Sequence, residues 1–324
     1  MSNLHLTEAD VRSLLDPSQL ITAIESAFRD RYPSISLPPR THAELAHGIF
    51  LAMSCYDGSA GTLGMKLVLV RDRAQHAAGH GPLAAGRVQA TYLLLDPETA
   101  QPRLSIAANY LTDLRTAATS AVATKFLARP DVSTLGIFGT GRLARTHLAV
   151  LPLVRNFQRV LVCGRDSARS VEFATQASSE VPGIAITSVN ARTCASESDV
   201  LCACTSSPAP LFDGHDVRPG THINLVGAFR PQTREADTHT IQHSRVVVDT
   251  YGSAFAEVGE LLIPLQEGAI TRDHVAADLH ELVCGTKQGR RSTEEVTVFK
   301  SVGCALEDLV AAELLLAAQA PPLV

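Results

Sequence analysis

Gly139, Gly141 and Ala144 stand at G-x-G-x-x-A spacing, after the apolar run 135–138 and before a helical pattern over 145–154. Each small residue has a physical job. Gly139 permits a tight turn off a strand, Gly141 lets backbone approach a pyrophosphate, and Ala144 lets a helix pack close to the sheet. A helix starting here aims free N–H groups and the positive end of its dipole at phosphates. Residues 139–144, with Thr140, Arg142 and Leu143 among them, therefore read as the cradle of a dinucleotide. The bland alternative is a Gly-rich strand-to-helix turn of another α/β fold.

The end of the following strand selects the cofactor. An acidic residue there holds a ribose 2′-OH, whereas a small residue followed by Arg admits a 2′-phosphate. Gly164 occupies the acidic position and Arg165 follows it. A guanidinium offers a planar fork to phosphate, and Arg142 and Arg169 add charge nearby. NADP(H) is expected ahead of NAD(H). A one-residue shift would instead make Asp166 the ribose ligand, and NAD(H) the cofactor.

Two cations sit where charge is costly. Lys66 lies inside the apolar run 63–70, and Arg115 in the otherwise apolar opening of a helix. Each alone would by default be snorkelling or ion-paired. Two histidine pairs, His76 with His80 and His239 with His243, have four-residue spacing but no acidic or cysteine ligands at a recognised distance. No metal site is expected, and His80 reads as part of a loop.

The elements that must position these groups fall into two patterns. Residues 4–15 and 17–31 read as helices, the first with a capping-box-like start at Thr7, and Pro38-Pro39 follows them. Strand-like runs at 49–53, 63–70 and 89–95 come without helices between them, which predicts a mostly antiparallel sheet. A long Ala-rich helix over 111–128 leads into the strand at 135. From there strands at 159–163, 184–189, 199–204, 222–226 and 245–249 alternate with helical patterns such as 167–178. Alternation of this kind means a doubly wound parallel sheet of Rossmann type. A last helix, 306–320, is expected to return to the first domain. The fold class is thus α/β, a Rossmann sheet plus a smaller α+β domain, with boundaries at 1–113 (completed by 304–324) and 114–303.

Composition agrees. The 324 residues suggest about two domains, and 45% hydrophobic against 19% charged residues marks a globular chain with a sizeable core. A net charge of -5 argues against a nucleic-acid partner held by bulk charge. Seven cysteines, including Cys202-Ala203-Cys204, match no zinc or thioredoxin spacing and read as reduced thiols in a cytoplasmic protein. The first fifteen residues lack the apolar core of a secretory signal, and the apolar stretch 309–320 is too short to span a bilayer.

Four stretches carry a likeness. Residues 113–120 (DLRTAATS), the glycine turn, 224–235 (NLVGAFRPQTRE) and 295–308 (EVTVFKSVGCALED) occur in this order. In them the chain resembles the ornithine cyclodeaminase/mu-crystallin family over nearly its whole length. The resemblance implies a homodimer paired through the first domain and a substrate site between domains. It places Arg40, Lys66 and Arg115 as the substrate-carboxylate and catalytic cations, with Phe229 and Val296 walling the substrate. It adds Thr116, Thr205, Leu225 and Val226 to the cofactor contacts.

Two departures narrow the chemistry. The family's cyclodeaminases carry an Asp where Phe229 stands here, and an acidic residue where Leu51 aligns. Phenylalanine does no acid–base work, and leucine cannot hold a distal ammonium. The motifs look more like those of the family's ketimine reductases. The resemblance thus implies an NAD(P)H-dependent reductase of a small cyclic imine carboxylate, with no membrane or nucleic-acid partner. Alternatives are an ornithine cyclodeaminase or amino-acid dehydrogenase, and a mu-crystallin-like protein that binds NADP without turnover.

Overall fold

A computed structural model describes residues 4–71 and 88–319. His76 and His80 lie outside the described residues. The chain divides into two compact units, one running to Arg115 and resuming at Cys304, the other spanning Thr116–Gly303.

The first unit is built on a six-stranded sheet. Its strands are β1 (Leu4–Leu6), β2 (Thr41–Leu45), β3 (Gly48–Asp57), β4 (Thr62–Arg71), β5 (Val88–Leu95) and β6 (Pro102–Ala107). They lie in the order β1-β6-β5-β4-β3-β2, antiparallel throughout except for β1 beside β6. The expected helix over 4–15 divides in two, because Thr7 caps α1 (Glu8–Leu14) with a full capping box and leaves Leu4–Leu6 to pair with β6. Helix α2 (Pro17–Asp30) turns Leu20, Ile21, Ile24 and Phe28 inward. The alternating burial along β3, β4 and β5 puts Leu51, Met53, Lys66, Val68, Tyr92 and Leu94 on the buried face. Phe50, Ala52, Met65, Leu67, Leu69 and Leu93 point the other way and are half-buried.

Helix α3 (Asn109–Leu127) carries the chain from the first unit into the second. Its small residues Ala117, Ala118, Ala121 and Ala123 are fully buried, as are Thr119, Ser120 and Thr124. The second unit holds eight parallel strands: β7 (Thr134–Phe138), β8 (Arg159–Cys163), β9 (Ala185–Ser188), β10 (Val200–Ala203), β11 (His222–Leu225), β12 (Ser244–Val248), β13 (Val275–Asp278) and β14 (Val296–Lys300). Strands β13 and β14 were not among the runs expected from sequence. Helices α4 (Arg142–Val150), α5 (Ser167–Glu180), α6 (Ala191–Glu197), α7 (Thr238–Gln242), α8 (Tyr251–Glu257), α9 (Gly259–Gln266) and α10 (Leu279–Cys284) connect them. Helix α11 (Ala305–Ala317) returns to the first unit, where it packs on α2 and on β3, β4 and β5.

The large sheet runs β13-β12-β14-β11-β10-β7-β8-β9. The chain leaves β7 toward β8 and β9, then crosses back to β10 on the other side of β7. That reversal opens a crevice at the C-terminal ends of β7 and β10, the ligand position of open α/β sheets. No helix among the described residues is long and apolar enough to cross a membrane.

Candidate active site

The glycine turn sits at that reversal. Gly139 has φ +120° and donates its N–H to Cys163 O at 2.8 Å. A Cβ there would lie 2.8 Å from Cys204 O, so the turn needs glycine for both its backbone and its space. Gly141 is the N-cap of α4, which begins at Arg142 rather than the expected 145, and no side chain caps it. A Cβ on Gly141 would meet nothing within 4 Å. An uncapped helix start behind open space is what a pyrophosphate requires, and the residues present fit a dinucleotide. Ala144 is fully buried. His147 anchors this helix: Nδ1 donates to Leu143 O at 2.8 Å and Nε2 accepts from Ser120 Oγ at 3.0 Å. Burial pulls its pKa down to about 4, so the ring stays neutral in both roles.

At the end of β8, a Cβ on Gly164 would lie 2.7 Å from Ser170 Oγ and 3.0 Å from Thr140 Cγ2. An acidic side chain does not fit there without movement. Asp166 caps α5, its Oδ1 accepting from Ala168 N and Arg169 N at 3.0 and 3.2 Å. Arg165 is exposed beside it.

Thr205, Leu225 and Val226 border the same edge. Leu225 ends β11, Val226 N donates to Ala203 O, and Thr205 is gripped by the buried Glu235. Thr116 lies buried in α3. Phe229 is half-buried in the loop after β11, with the Arg230 guanidinium 6.0 Å from its ring centre. Val296 corrects the alignment. It opens β14 in register with Ser244, the first residue of β12, and so lies at the N-terminal edge of the sheet. Four residues at about 3.3 Å each separate it from the C-terminal edge, roughly 13 Å. There it borders an open cleft with Arg245, His243 and Glu295 instead. The residues that leave β14 on the glycine-turn edge are Ser301, Val302 and Gly303, and buried Asp249 Oδ2 accepts from Ser301 Oγ, Val302 N and Gly303 N.

In the first unit, Lys66 and Arg115 form a buried cluster with two carboxylates of α11. Lys66 Nζ lies 2.8 and 2.7 Å from the two oxygens of Asp308. Arg115 Nη1 donates to Glu307 Oε2 at 2.6 Å, and its Nε lies 3.1 Å from Asp308 Oδ1. Glu307 also accepts from Cys304 N, closing a capping box at the start of α11. All four side chains are almost wholly buried. Lys66 was expected to be neutralised by a substrate carboxylate; the chain supplies Asp308 instead. Burial first, then the adjoining Arg115 charge, lowers the Lys66 pKa to about 8 against the pull of Asp308. Arg40 is half-buried just before β2. Leu51 is buried in β3 opposite Val68, and no carboxylate takes that place.

A family model spans residues 1–318 of this chain, that of ornithine cyclodeaminase and mu-crystallin. The chain belongs to the ornithine cyclodeaminase/mu-crystallin family. Among its members, a Delta(1)-pyrroline-2-carboxylate reductase of Bacillus cereus is 31% identical over 316 residues, covering 96% of this chain and 95% of that one. The Thermococcus litoralis Delta(1)-pyrroline-2-carboxylate reductase, in complex with NADH and L-proline, superimposes with a TM-score of 0.92 at 35% identity, covering 97% of each chain. An archaeal alanine dehydrogenase dimer with bound NAD gives 0.90 at 30% identity, covering 98% and 96%.

Within this family framework, both buried cations and the whole glycine turn are legible in the sequence. The places of Glu235, Asp249, Lys300, Glu307 and Asp308 beside them are not. Yet a signal is present: Lys300 interrupts an apolar strand as Lys66 does, and Glu307-Asp308 open an apolar helix. Among the described residues no group of three His, Cys, Asp or Glu is placed to hold a metal ion. His239 stacks between His243 and His215, at 4.0 and 3.7 Å.

Proposed function

We propose that this chain is an NAD(P)H-dependent reductase of cyclic imine carboxylates, converting 1-pyrroline-2-carboxylate to L-proline and 1-piperideine-2-carboxylate to L-pipecolate. The observation that carries the reading is Phe229. In an otherwise family-like loop it replaces the carboxylate that activates water in the cyclodeaminases, leaving reduction of an already formed C=N bond as the chemistry available. The full-length likeness to two pyrroline-2-carboxylate reductases supports it.

The glycine turn would hold a dinucleotide, whose nicotinamide would supply the hydride for an imine carbon. Arg40 and Arg115 orient the substrate carboxylate, which fixes that carbon for attack. As the C=N pair moves onto nitrogen, Lys66 gives it a proton and recovers one from water; a depressed pKa suits this donor. Asp308 holds Lys66 Nζ in place. Phe229 and Val302, the latter in place of Val296, present apolar surface to the ring. The preferred cofactor is NADPH, because a side chain at Gly164 would crowd Ser170 Oγ and Thr140 Cγ2, and Asp166 Oδ1 already caps α5. The protein works as a homodimer in the cytoplasm.

Steady-state oxidation of NADPH and NADH with the five- and six-membered imines tests this. Rapid turnover of both imines with no ammonia released from ornithine is expected; ornithine turnover by the unmodified chain would refute it. The alanine dehydrogenase likeness favours a second reading, oxidative deamination of a small amino acid. Ammonia and NADH formed from alanine faster than imine is reduced would select it.

A further inference from the structure

The second unit buries a charge cluster that the reaction above does not use. Glu235 is fully buried, and each of its oxygens accepts twice. Oε1 takes Thr205 N at 2.8 Å and Thr205 Oγ1 at 2.7 Å. Oε2 takes Gly227 N at 2.7 Å and Ala228 N at 3.2 Å. One carboxylate thereby joins the loop after β10 to the loop after β11. The two loops are already in close backbone approach: a Cβ on Gly227 would lie 1.8 Å from Thr205 O. The first loop in turn touches the glycine turn, since a Cβ on Gly139 would lie 2.8 Å from Cys204 O and 3.5 Å from Thr205 Cγ2. Glu235 is itself held, its N–H donating to Glu260 Oε1 at 2.9 Å. Lys300 Nζ donates to Ala228 O at 2.7 Å and Glu260 Oε1 at 3.2 Å.

We infer that Glu235 is a positioning residue for the dinucleotide: its carboxylate fixes the shelf formed by Thr205, Gly227 and Ala228 beside the glycine turn, and its protonation releases that shelf. The inference rests on the cofactor reading above. Three of the four groups aimed at Glu235 are backbone N–H donors and the fourth, the Thr205 hydroxyl, also donates, so the ionised form satisfies them all; a proton on Oε2 sets donor against donor, and one on Oε1 is taken only by turning the Thr205 hydroxyl from donor to acceptor. The titratable groups facing it are Lys300, Glu260 and, as a neutral thiol, Cys202. Burial, reinforced by Glu260 and opposed by Lys300, raises its pKa to about 7. Cofactor affinity is therefore highest above neutrality. It declines as pH falls through about 7, by up to about tenfold per pH unit.

NADH fluorescence titrations on the intact protein between about pH 5.5 and 8.5 test this. The chain has no tryptophan to compete as a fluorophore. NADH is chosen because it lacks the 2′-phosphate, whose own ionisation falls near pH 6. Glu235→Gln keeps the shape but turns an NH2 toward two donors. It should melt as a folded protein, bind NADH roughly tenfold or more weakly at pH 8, and lose the pH dependence. Should it fail to fold, Glu260→Gln keeps both bonds accepted at Oε1 and removes the neighbouring negative charge. The wild-type midpoint should then move to lower pH. A folded Glu235→Gln protein with wild-type affinity, a flat wild-type profile, or a Glu260→Gln midpoint that stays put would overturn the inference. A wild-type protein that binds neither NADH nor NADPH at any pH would overturn the cofactor reading itself, and the shelf with it.

Discussion

Asp308 changes what Lys66 is worth. A buried ammonium with a protein carboxylate on it is part of the fold as well as of the site. Removing one partner of such a pair is strongly destabilising, because the other charge stays buried. Lys66→Met is therefore expected to cost about 3 kcal/mol or more in denaturant unfolding. The double variant Lys66→Met/Asp308→Leu should recover part of that loss, as coupled neighbours do. The pH dependence has a definite sign. The folded-state pKa of about 8 lies below the ordinary 10.5, so the unfolded chain binds the proton more tightly. Stability should rise with pH between those values, while kcat/KM for imine reduction falls above about 8 as Lys66 loses the proton it donates. Lys66→Met should abolish the stability rise. At the cofactor end, Arg165→Ala should weaken NADPH by tenfold or more and leave NADH nearly unchanged, since only NADPH has a 2′-phosphate to lose. Equal loss for both cofactors would transfer specificity away from this residue.

At the scale of elements, the start of α4 separates folding from binding. Gly141 has extended backbone that any residue adopts, and a Cβ there meets nothing. Gly141→Ala should melt within about 0.5 kcal/mol of wild type, as unobstructed surface changes do, yet bind either dinucleotide far more weakly because the methyl occupies the phosphate's approach. Gly139→Ala should lose both, its φ and its contact with Cys204 O being incompatible with a side chain. Calorimetric melts beside cofactor titrations distinguish the two. Much of this was legible beforehand: a strand, a G-x-G-x-x-A turn and a helix are contiguous in the chain, and local spacing specifies them. The partners of Lys66 were not, because Asp308 is 242 residues away and no local period links them. Val296 shows the same limit. An alignment carries a residue across, but only strand direction and register decide which end of a sheet it occupies.

The first unit's sheet raises a question for the whole molecule. One face is covered by α11, with α2 packed on that helix, and the other carries Phe50, Met65, Leu67, Leu69 and Leu93, half-buried, beside Gln89 and Thr91. An antiparallel sheet that ends at solvent ordinarily alternates to polar there. An apolar patch of this kind is what an association surface offers, and the homodimer proposed above would cover it with a second copy related by a two-fold axis. Size-exclusion chromatography with light scattering should give a dimer for the wild-type chain. Leu67→Lys, placed in the middle of the patch, should give a folded monomer. A wild-type monomer would remove the homodimer from the functional proposal.

The sequence by itself determined most of the elements and their order, the dinucleotide turn, the family and the presence of two costly cations. These follow from short-range spacing, from composition and from motifs that survive in one dimension. Only the tertiary structure decided what those cations face, which carboxylates brace the C-terminal edge, and where Val296 lies. Buried charges are satisfied by whatever the fold brings within hydrogen-bond reach, and Lys66–Asp308, Arg115–Glu307 and Thr205–Glu235 are all closures of long loops. Long-range pairs of this kind are specified by the packing of whole sheets and helices, which no window along the chain contains.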